Sequence, residues 1–178
     1  MLFRSVAEEI LARGDADMVS MARPLLADSE FVKKARQGRG DEINICIACN
    51  QACLDHTFEG KTCTCLVNPR ACRETELNYT KSDVTKAIAV VGAGPAGLAF
   101  STTAAHRGHK VSLFDQAAEI GGQFNMAKKI PGKEEFSASL DYFRGEIQRS
   151  GVDLQLNTRV GVDHLDRKST RLNSSHSS

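Results

Sequence analysis

One stretch restricts the fold of this chain more than any other: Val90-Val91-Gly92-Ala93-Gly94-Pro95-Ala96-Gly97. It follows an apolar run, Ala87–Val91, and opens a helical pattern over Pro95–His106 that Gly108 closes. Glycines so spaced between a strand and a helix are what a dinucleotide pyrophosphate demands. Gly92 permits the tight turn, Gly94 lets the backbone approach the phosphates, and Gly97 lets the helix pack close to the strand. The phosphates then sit at the helix N-terminus, among its unpaired N–H groups. Lys110–Asp115 reads as a second strand, and Asp115 falls 18 residues after Gly97. A carboxylate there accepts a ribose hydroxyl and disfavours a 2′-phosphate, so the nucleotide expected is FAD, NAD or ADP rather than NADP. The plainer alternative is a turn that needs glycine only for packing.

Downstream, Gly121-Gly122-Gln123 places two adjacent glycines in a loop. Such a loop can approach a ring or a ribose, or it can be a simple turn. Glu134–Arg149 is predicted as a long amphipathic helix and Val152–Val160 as an alternating strand. The third piece of the chain is therefore an α/β unit with a parallel sheet.

All six cysteines lie between Asp41 and Arg73. Cys46-x2-Cys49-x3-Cys53 is followed by Cys65, and Cys63 competes with Cys65 for the fourth place on spacing alone. Four thiolates suit either a tetrahedral zinc or a cubane iron–sulfur cluster. The short asymmetric run departs from the paired spacing of zinc ribbons and favours the cluster. Cys72, beside Asn68-Pro69-Arg70, reads as a packed thiol.

Composition narrows the class. Lys and Arg number 23 against 22 Asp and Glu, so no basic excess points to nucleic acid. No apolar run nears the ~20 residues a membrane span needs. Cysteines without an export signal indicate a reducing, cytoplasmic setting. Before the cysteines, Val6–Arg13 reads as a helix ending at Gly14, Asp17–Arg23 as a strand, and Ser29–Gln37 as a helix capped by Asp28. Glu76–Lys86 is polar and serves as the linker.

The two ends differ in character. Asp166–His176 reads as a translated sequencing adapter, and Met1–Ser5 as its opposite end, so both are set aside from fold reasoning. The native stretch expected is Val6–Leu165.

Taken together, the pieces resemble the NADPH-dependent 2,4-dienoyl-CoA reductases of bacterial type, within the group that contains trimethylamine dehydrogenase and old-yellow-enzyme fusions. The resemblance is carried by Ala22-Arg23-Pro24, by Cys46 to Asp55, by Cys65 to Cys72, and by the stretch from Gly92. Gly121 to Asn125 and Ile130 to Phe136 complete it. It implies the end of an FMN-binding TIM (β/α)8 barrel (6–40), a Cys-rich 4Fe–4S segment (41–75), the linker (76–86) and a partial Rossmann-like FAD domain (87–165). It further implies electron passage from NADPH to FAD, through the cluster, to FMN and then to an acyl-CoA substrate in fatty acid β-oxidation. Asp17–Arg23 becomes the last barrel strand, with Ala22 and Arg23 against the FMN phosphate. The cluster ligands implied are Cys46, Cys49, Cys53 and Cys65. FAD contacts are implied at Ala96, Asp115, Gln123, Lys133 and Val160, beside the glycines already read from the turn and the loop, Gly92, Gly94, Gly97 and Gly122.

On this resemblance the proton donor and the NADPH domain lie outside the chain, so no catalytic residue is named. The piece is expected to be marginally stable and inactive alone, its lone barrel strand having unpaired edges. Two other classes stay in view: an amine dehydrogenase relative holding ADP or FAD, and a non-enzymatic zinc and nucleotide module. The sequence leaves the oligomeric state open.

Overall fold

A computed structural model of the chain describes residues 2–133 and 135–161. Two compact units divide it: Met1–Asn78 with Asn125–Gly145, and Tyr79–Phe124 with the chain from Glu146 onward. Among the described residues no helix is long and apolar enough to cross a membrane.

The second unit is built on a three-stranded parallel sheet, β1 (Ala87–Val91), β2 (Lys110–Phe114) and β3 (Asp153–Gln155), in the order β1-β2-β3. Ala87 pairs with Lys110 and Val91 with Phe114, while Ser112 pairs with Asp153. A helix over Pro95–His106 connects β1 to β2, as parallel pairing requires. Its ends are local events. Gly94 caps it in an extended conformation with Pro95 in the first turn, where the missing N–H costs nothing. At the far end Gly108, at φ +93°, donates to the Ala105 carbonyl and His109 donates to Ala104, the pattern of a Schellman stop. Leu98 and Ala104 from this helix are buried, as are Val111, Leu113 and Phe114 of β2 and Ile147 and Val152.

The third strand is shorter than the alternation of Val152–Val160 predicts. It ends at Gln155. Asn157 turns at φ +52° and its N–H donates to the Ala117 carbonyl, while the Thr158 N–H donates to the Asp115 carbonyl. Those backbone bonds leave the sheet, and Val160 lies beyond it without regular structure.

The first unit is helical and irregular. Helices run over Leu2–Ala12, Arg23–Ala27, Phe31–Arg36 and Leu54–Phe58, with a 3₁₀ turn at Gly40–Glu42. A four-residue helix, Phe124–Ala127, straddles the division, and the long helix Glu135–Ser150 spans both units. Its expected start, Glu134, is outside the described residues, as is the expected adapter-like tail Asp166–His176.

Asp17–Arg23 is not a strand. Met18 is 81% exposed, and no described strand precedes Ala87 to complete a ladder with this segment. Arg23 instead begins a helix with Pro24 in its first turn, a placement proline's fixed φ favours. The next helix begins at Phe31 rather than Ser29, because the Asp28 carboxylate takes the Glu30 N–H at 2.9 Å in a turn before it.

Candidate functional site

In the second unit the glycine-rich turn is held from two other loops. The Gly92 N–H donates to the Phe114 carbonyl at 2.7 Å. Ala93, fully buried, donates its N–H to Asp115 Oδ2 at 2.6 Å and accepts the Gly121 N–H at 2.8 Å. Gly92 adopts φ +105°, which only glycine does readily. A Cβ on Gly97 would lie 1.9 Å from the Gly92 carbonyl oxygen, and one on Gly122 would lie 3.2 Å from Gly94 Cα. A Cβ on Gly94 meets nothing within 4 Å. The turn is therefore closed on the side of the helix and open at Gly94. No side chain caps the helix that follows, which leaves its first N–H groups the charge character that suits an anion.

The structure thus brings Gly92, Gly94, Gly97, Asp115 and Gly122 together, as expected from the sequence. Asp115 does more than that expectation assigned to it. Both carboxylate oxygens already accept backbone donors, Oδ2 from Ala93 and Oδ1 from Ala117 at 2.8 Å. A ribose hydroxyl would use the remaining lone pairs. Ala96, in the first turn of the Pro95–His106 helix, and Gln123, directly after Gly122, are exposed, and Val160 is half-buried in the segment after β3. Lys133 belongs to the other unit, where its ammonium stands 5.9 Å from the Phe136 ring centre.

In the first unit Cys46, Cys49, Cys53 and Cys65 line one cavity together with Arg23 and Asn50, the rest of the wall being aliphatic. Cys46 and Cys49 do not sit on a helix. Ala48 and Asn50 take left-handed conformations, φ +53° and +59°, so the chain wraps the cavity as a loop until Cys53 begins the helix Leu54–Phe58. The Ala48 N–H points at Cys46 Sγ, 3.4 Å away. Burial pushes the Cys65 thiol above its ordinary range, offset in part by the Val67 and Asn68 N–H groups, with Cys46 and Cys49 adding to the rise. Cys63 is also raised, by burial and then by Cys72 beside it. Among the described residues no three His, Cys, Asp or Glu side chains converge closely enough to hold a single metal ion. A tetrahedral zinc, with bonds of about 2.3 Å, needs its four sulfurs nearly in contact; an eight-atom cluster holds them farther apart. Four thiols on one cavity wall are the donor set such a cluster would take.

Arg23, expected at a flavin phosphate, lies on this cavity, and the residues that brace it, Asn50, Asp28 and Asn44 among them, are not assigned to it by the sequence. Arg23 Nη1 donates to Asn50 Oδ1 at 2.8 Å, one of five guanidinium donors. Ala22, expected against a flavin phosphate with it, is exposed. Buried Asp28 accepts the Glu30 N–H, the Asn44 N–H and the Lys34 ammonium at 2.9, 2.9 and 2.6 Å. Asn44 Nδ2 donates to the Val67 carbonyl and Asn68 Nδ2 to the Leu26 carbonyl. These bonds fasten the stretches on either side of Cys46 and Cys65 to the Arg23–Ala27 helix. Asn44 and Asn68, each flanking a cysteine by two or three residues, were the available signal.

Residues 90–150 match the family described as NAD(P)-binding Rossmann-like domain. The chain is 42% identical over 160 residues to a metal reductase of Desulforamulus reducens, covering 90% of this chain and 24% of that protein. It is 42% identical over 151 residues to an NADH oxidase of Thermoanaerobacter brockii, covering 84% of this chain and 23% of that protein. A solved 2-naphthoyl-CoA reductase in complex with 2-naphthoyl-CoA superposes at a TM-score of 0.88, with 34% identity, covering 92% of this chain and 25% of that one. The chain spans about a quarter of the length of the relatives it matches. Its homologues are flavin-dependent oxidoreductases of the old-yellow-enzyme and amine-dehydrogenase group.

Proposed function

We propose that this chain is the electron-relay section of a larger NADPH-dependent flavoenzyme that reduces a 2,4-dienoyl-CoA. The observation that carries the proposal is the set of four thiols, Cys46, Cys49, Cys53 and Cys65, around one cavity in a chain that also carries a dinucleotide turn. A 4Fe–4S cluster held there would pass single electrons between flavins that exchange them in pairs with NADPH and substrate. The chain's own part is to bind and orient. The first turn of the Pro95–His106 helix offers N–H donors to a pyrophosphate, and the open side of Gly94 gives the phosphates room. Asp115 holds the turn and accepts a ribose hydroxyl, with Gly122 against Gly94 fixing the second loop. In this reading the nucleotide is FAD, with Ala96, Gln123 and Val160 as its further contacts, and Ala22 and Arg23 serve an FMN phosphate in a barrel of which residues 6–40 are the end.

The choice of an acyl-CoA substrate is supported by the likeness to a protein named for its action on 2-naphthoyl-CoA. Reduction of an unsaturated thioester asks for electrons delivered to a carbon chain conjugated with a carbonyl, the chemistry the old-yellow-enzyme group supplies with flavin.

Anaerobic reconstitution with ferrous iron and sulfide tests the first half. Four irons and four sulfides per chain, with a broad brown absorbance, are expected; a colourless product, or one that takes zinc in preference, refutes the relay. Nucleotide released by heat from the natural full-length protein tests the second, yellow FAD being expected and ADP placing it with the amine dehydrogenases. Loss of dienoyl-CoA absorbance on adding NADPH to that protein tests the substrate.

A further inference from the structure

Among the described residues Arg23 is the one cation on the wall of the cysteine cavity, and no carboxylate lines it. Arg23 is half-buried, and its guanidinium is held by Asn50 Oδ1, also on the cavity wall, 2.8 Å from Nη1. Asn50 follows Cys49 directly and sits at φ +59°, a conformation asparagine tolerates better than most residues. The left-handed turn therefore aims an amide back at the helix that carries Arg23. The remaining lining side chains, Leu26 and Ile47 among them, are aliphatic, so the charge acts through a medium of low polarity where its reach is large.

Four thiolates make such a site strongly negative, and one-electron reduction adds another negative charge. A guanidinium stays protonated throughout. It therefore stabilises the reduced state more than the oxidised one, which raises the reduction potential. From this juxtaposition we infer that Arg23 is a positioning residue of the cysteine cavity, held by Asn50, whose charge raises the reduction potential of the cluster bound there. This inference rests on the proposed iron–sulfur reading and assigns Arg23 a role toward the cluster in addition to any flavin contact.

The test uses the 178-residue chain, reconstituted anaerobically with ferrous iron and sulfide and titrated with dithionite at known potentials while absorbance and electron paramagnetic resonance are followed. Arg23→Gln is expected to hold the same iron and sulfide as the parent but to favour reduction at least tenfold less, a fall of about 59 mV or more for one electron. Arg23→Lys keeps the charge and should recover most of that fall. Asn50→Ala frees the guanidinium and should give an intermediate fall; it also carries the test if Arg23→Gln takes up no iron. Unchanged potential in Arg23→Gln, or an equal fall in Arg23→Lys, overturns the inference while leaving the cluster reading intact. A parent chain that assembles no four-iron cluster overturns the cluster reading itself, and the inference with it.

Discussion

Gly97→Ala offers the sharpest trial of the dinucleotide turn, because the structure fixes both the clash and what lies behind it. The added Cβ would meet the Gly92 carbonyl oxygen at 1.9 Å and its carbonyl carbon at 3.1 Å. Ordinary contact begins at 3.4 Å, so the helix and the turn must part by about 1.5 Å there. The obstacle is backbone, and it cannot rotate away as a side chain would. Gly92 is held by Phe114, and Ala93 by Asp115 and Gly121, at 2.6 to 2.8 Å. Opening the gap stretches at least one of these bonds. Overpacking of this kind costs about 1–3 kcal/mol, and each backbone bond lost adds roughly 1 kcal/mol. The gain in helix propensity from replacing glycine returns at most about 1 kcal/mol. With one bond lost and the propensity gain returned in full, a net loss of about 1–3 kcal/mol is expected in the second unit. Amide hydrogen exchange of Ala87–Val91 and Pro95–His106 reads it locally, which avoids assuming that both units unfold together. Gly94→Ala is the paired control: its Cβ meets nothing and its φ of −76° is ordinary. That variant should exchange like the parent within about 0.5 kcal/mol, yet bind FAD or ADP at least tenfold more weakly because the methyl occupies the phosphate side. Equal protection in Gly97→Ala and the parent would refute the steric reasoning, and unchanged nucleotide affinity in Gly94→Ala would refute the placement of the phosphates.

Asp28→Ala removes the partner of Lys34, the two side chains being 6% and 19% exposed; breaking such a pair costs about 3–5 kcal/mol, measurable as a lower urea midpoint for the first unit. Asp115→Asn leaves one carboxamide oxygen for two backbone donors and should cost about 1–3 kcal/mol, seen as faster exchange at Ala93. Ala48→Gly relieves a left-handed alanine at φ +53° and should stabilise the metal-free chain by about 1 kcal/mol, so a loss in the same denaturation assay would contradict the loop conformation. Under pulsed alkylation with mass spectrometry, exposed Cys72 should react first and buried Cys46 last in the metal-free chain. After reconstitution with iron and sulfide, Cys46, Cys49, Cys53 and Cys65 should become protected together; protection of Cys63 in place of Cys65 would move the fourth ligand.

What was legible in the sequence is what local chemistry decides. The Pro95–His106 helix was bounded correctly because Gly94-Pro95 and Gly108 set its ends within a few residues of each. β1 followed from an uninterrupted apolar run ahead of the turn. The failures share a cause. Asp17–Arg23 and Leu156–Val160 alternate as strands do, but alternation does not say whether a neighbour stands ready to accept their backbone bonds. Here Arg23 enters a helix, while Asn157 turns back to Ala117 and Thr158 to Asp115. Nothing in the sequence pairs Arg23 with Asn50, because a contact across 27 residues leaves no local pattern. The cysteines were found as a set from spacing, but the loop that presents them was not, since two left-handed non-glycine residues are set by their surroundings.

Both candidate sites answer the same physical problem in the same way. Each holds its loop at positive φ: Ala48 and Asn50 around the cysteines, where a free chain avoids it, and Gly92 in the glycine-rich turn, where glycine takes it readily. A left-handed non-glycine residue costs about 1–3 kcal/mol and persists only where neighbours over-determine it. Around the cysteines the counterweight is Asp28, which gathers the Glu30 and Asn44 amides and a lysine, while Asn44 and Asn68 extend the hold to the Cys65 side. At the turn it is Asp115, which gathers the Ala93 and Ala117 amides. In each case a carboxylate at the end of one element accepts backbone N–H groups from two different loops, charge-assisted bonds roughly twice as strong as neutral ones. The loops are therefore shaped by the protein's own hydrogen bonds, so a bound group would find its donors and ligands already arranged, and the ordering cost at binding is correspondingly reduced. That is why Asp28 and Asp115, neither of which needs to touch a cluster or a phosphate to act, are the residues on which both sites depend.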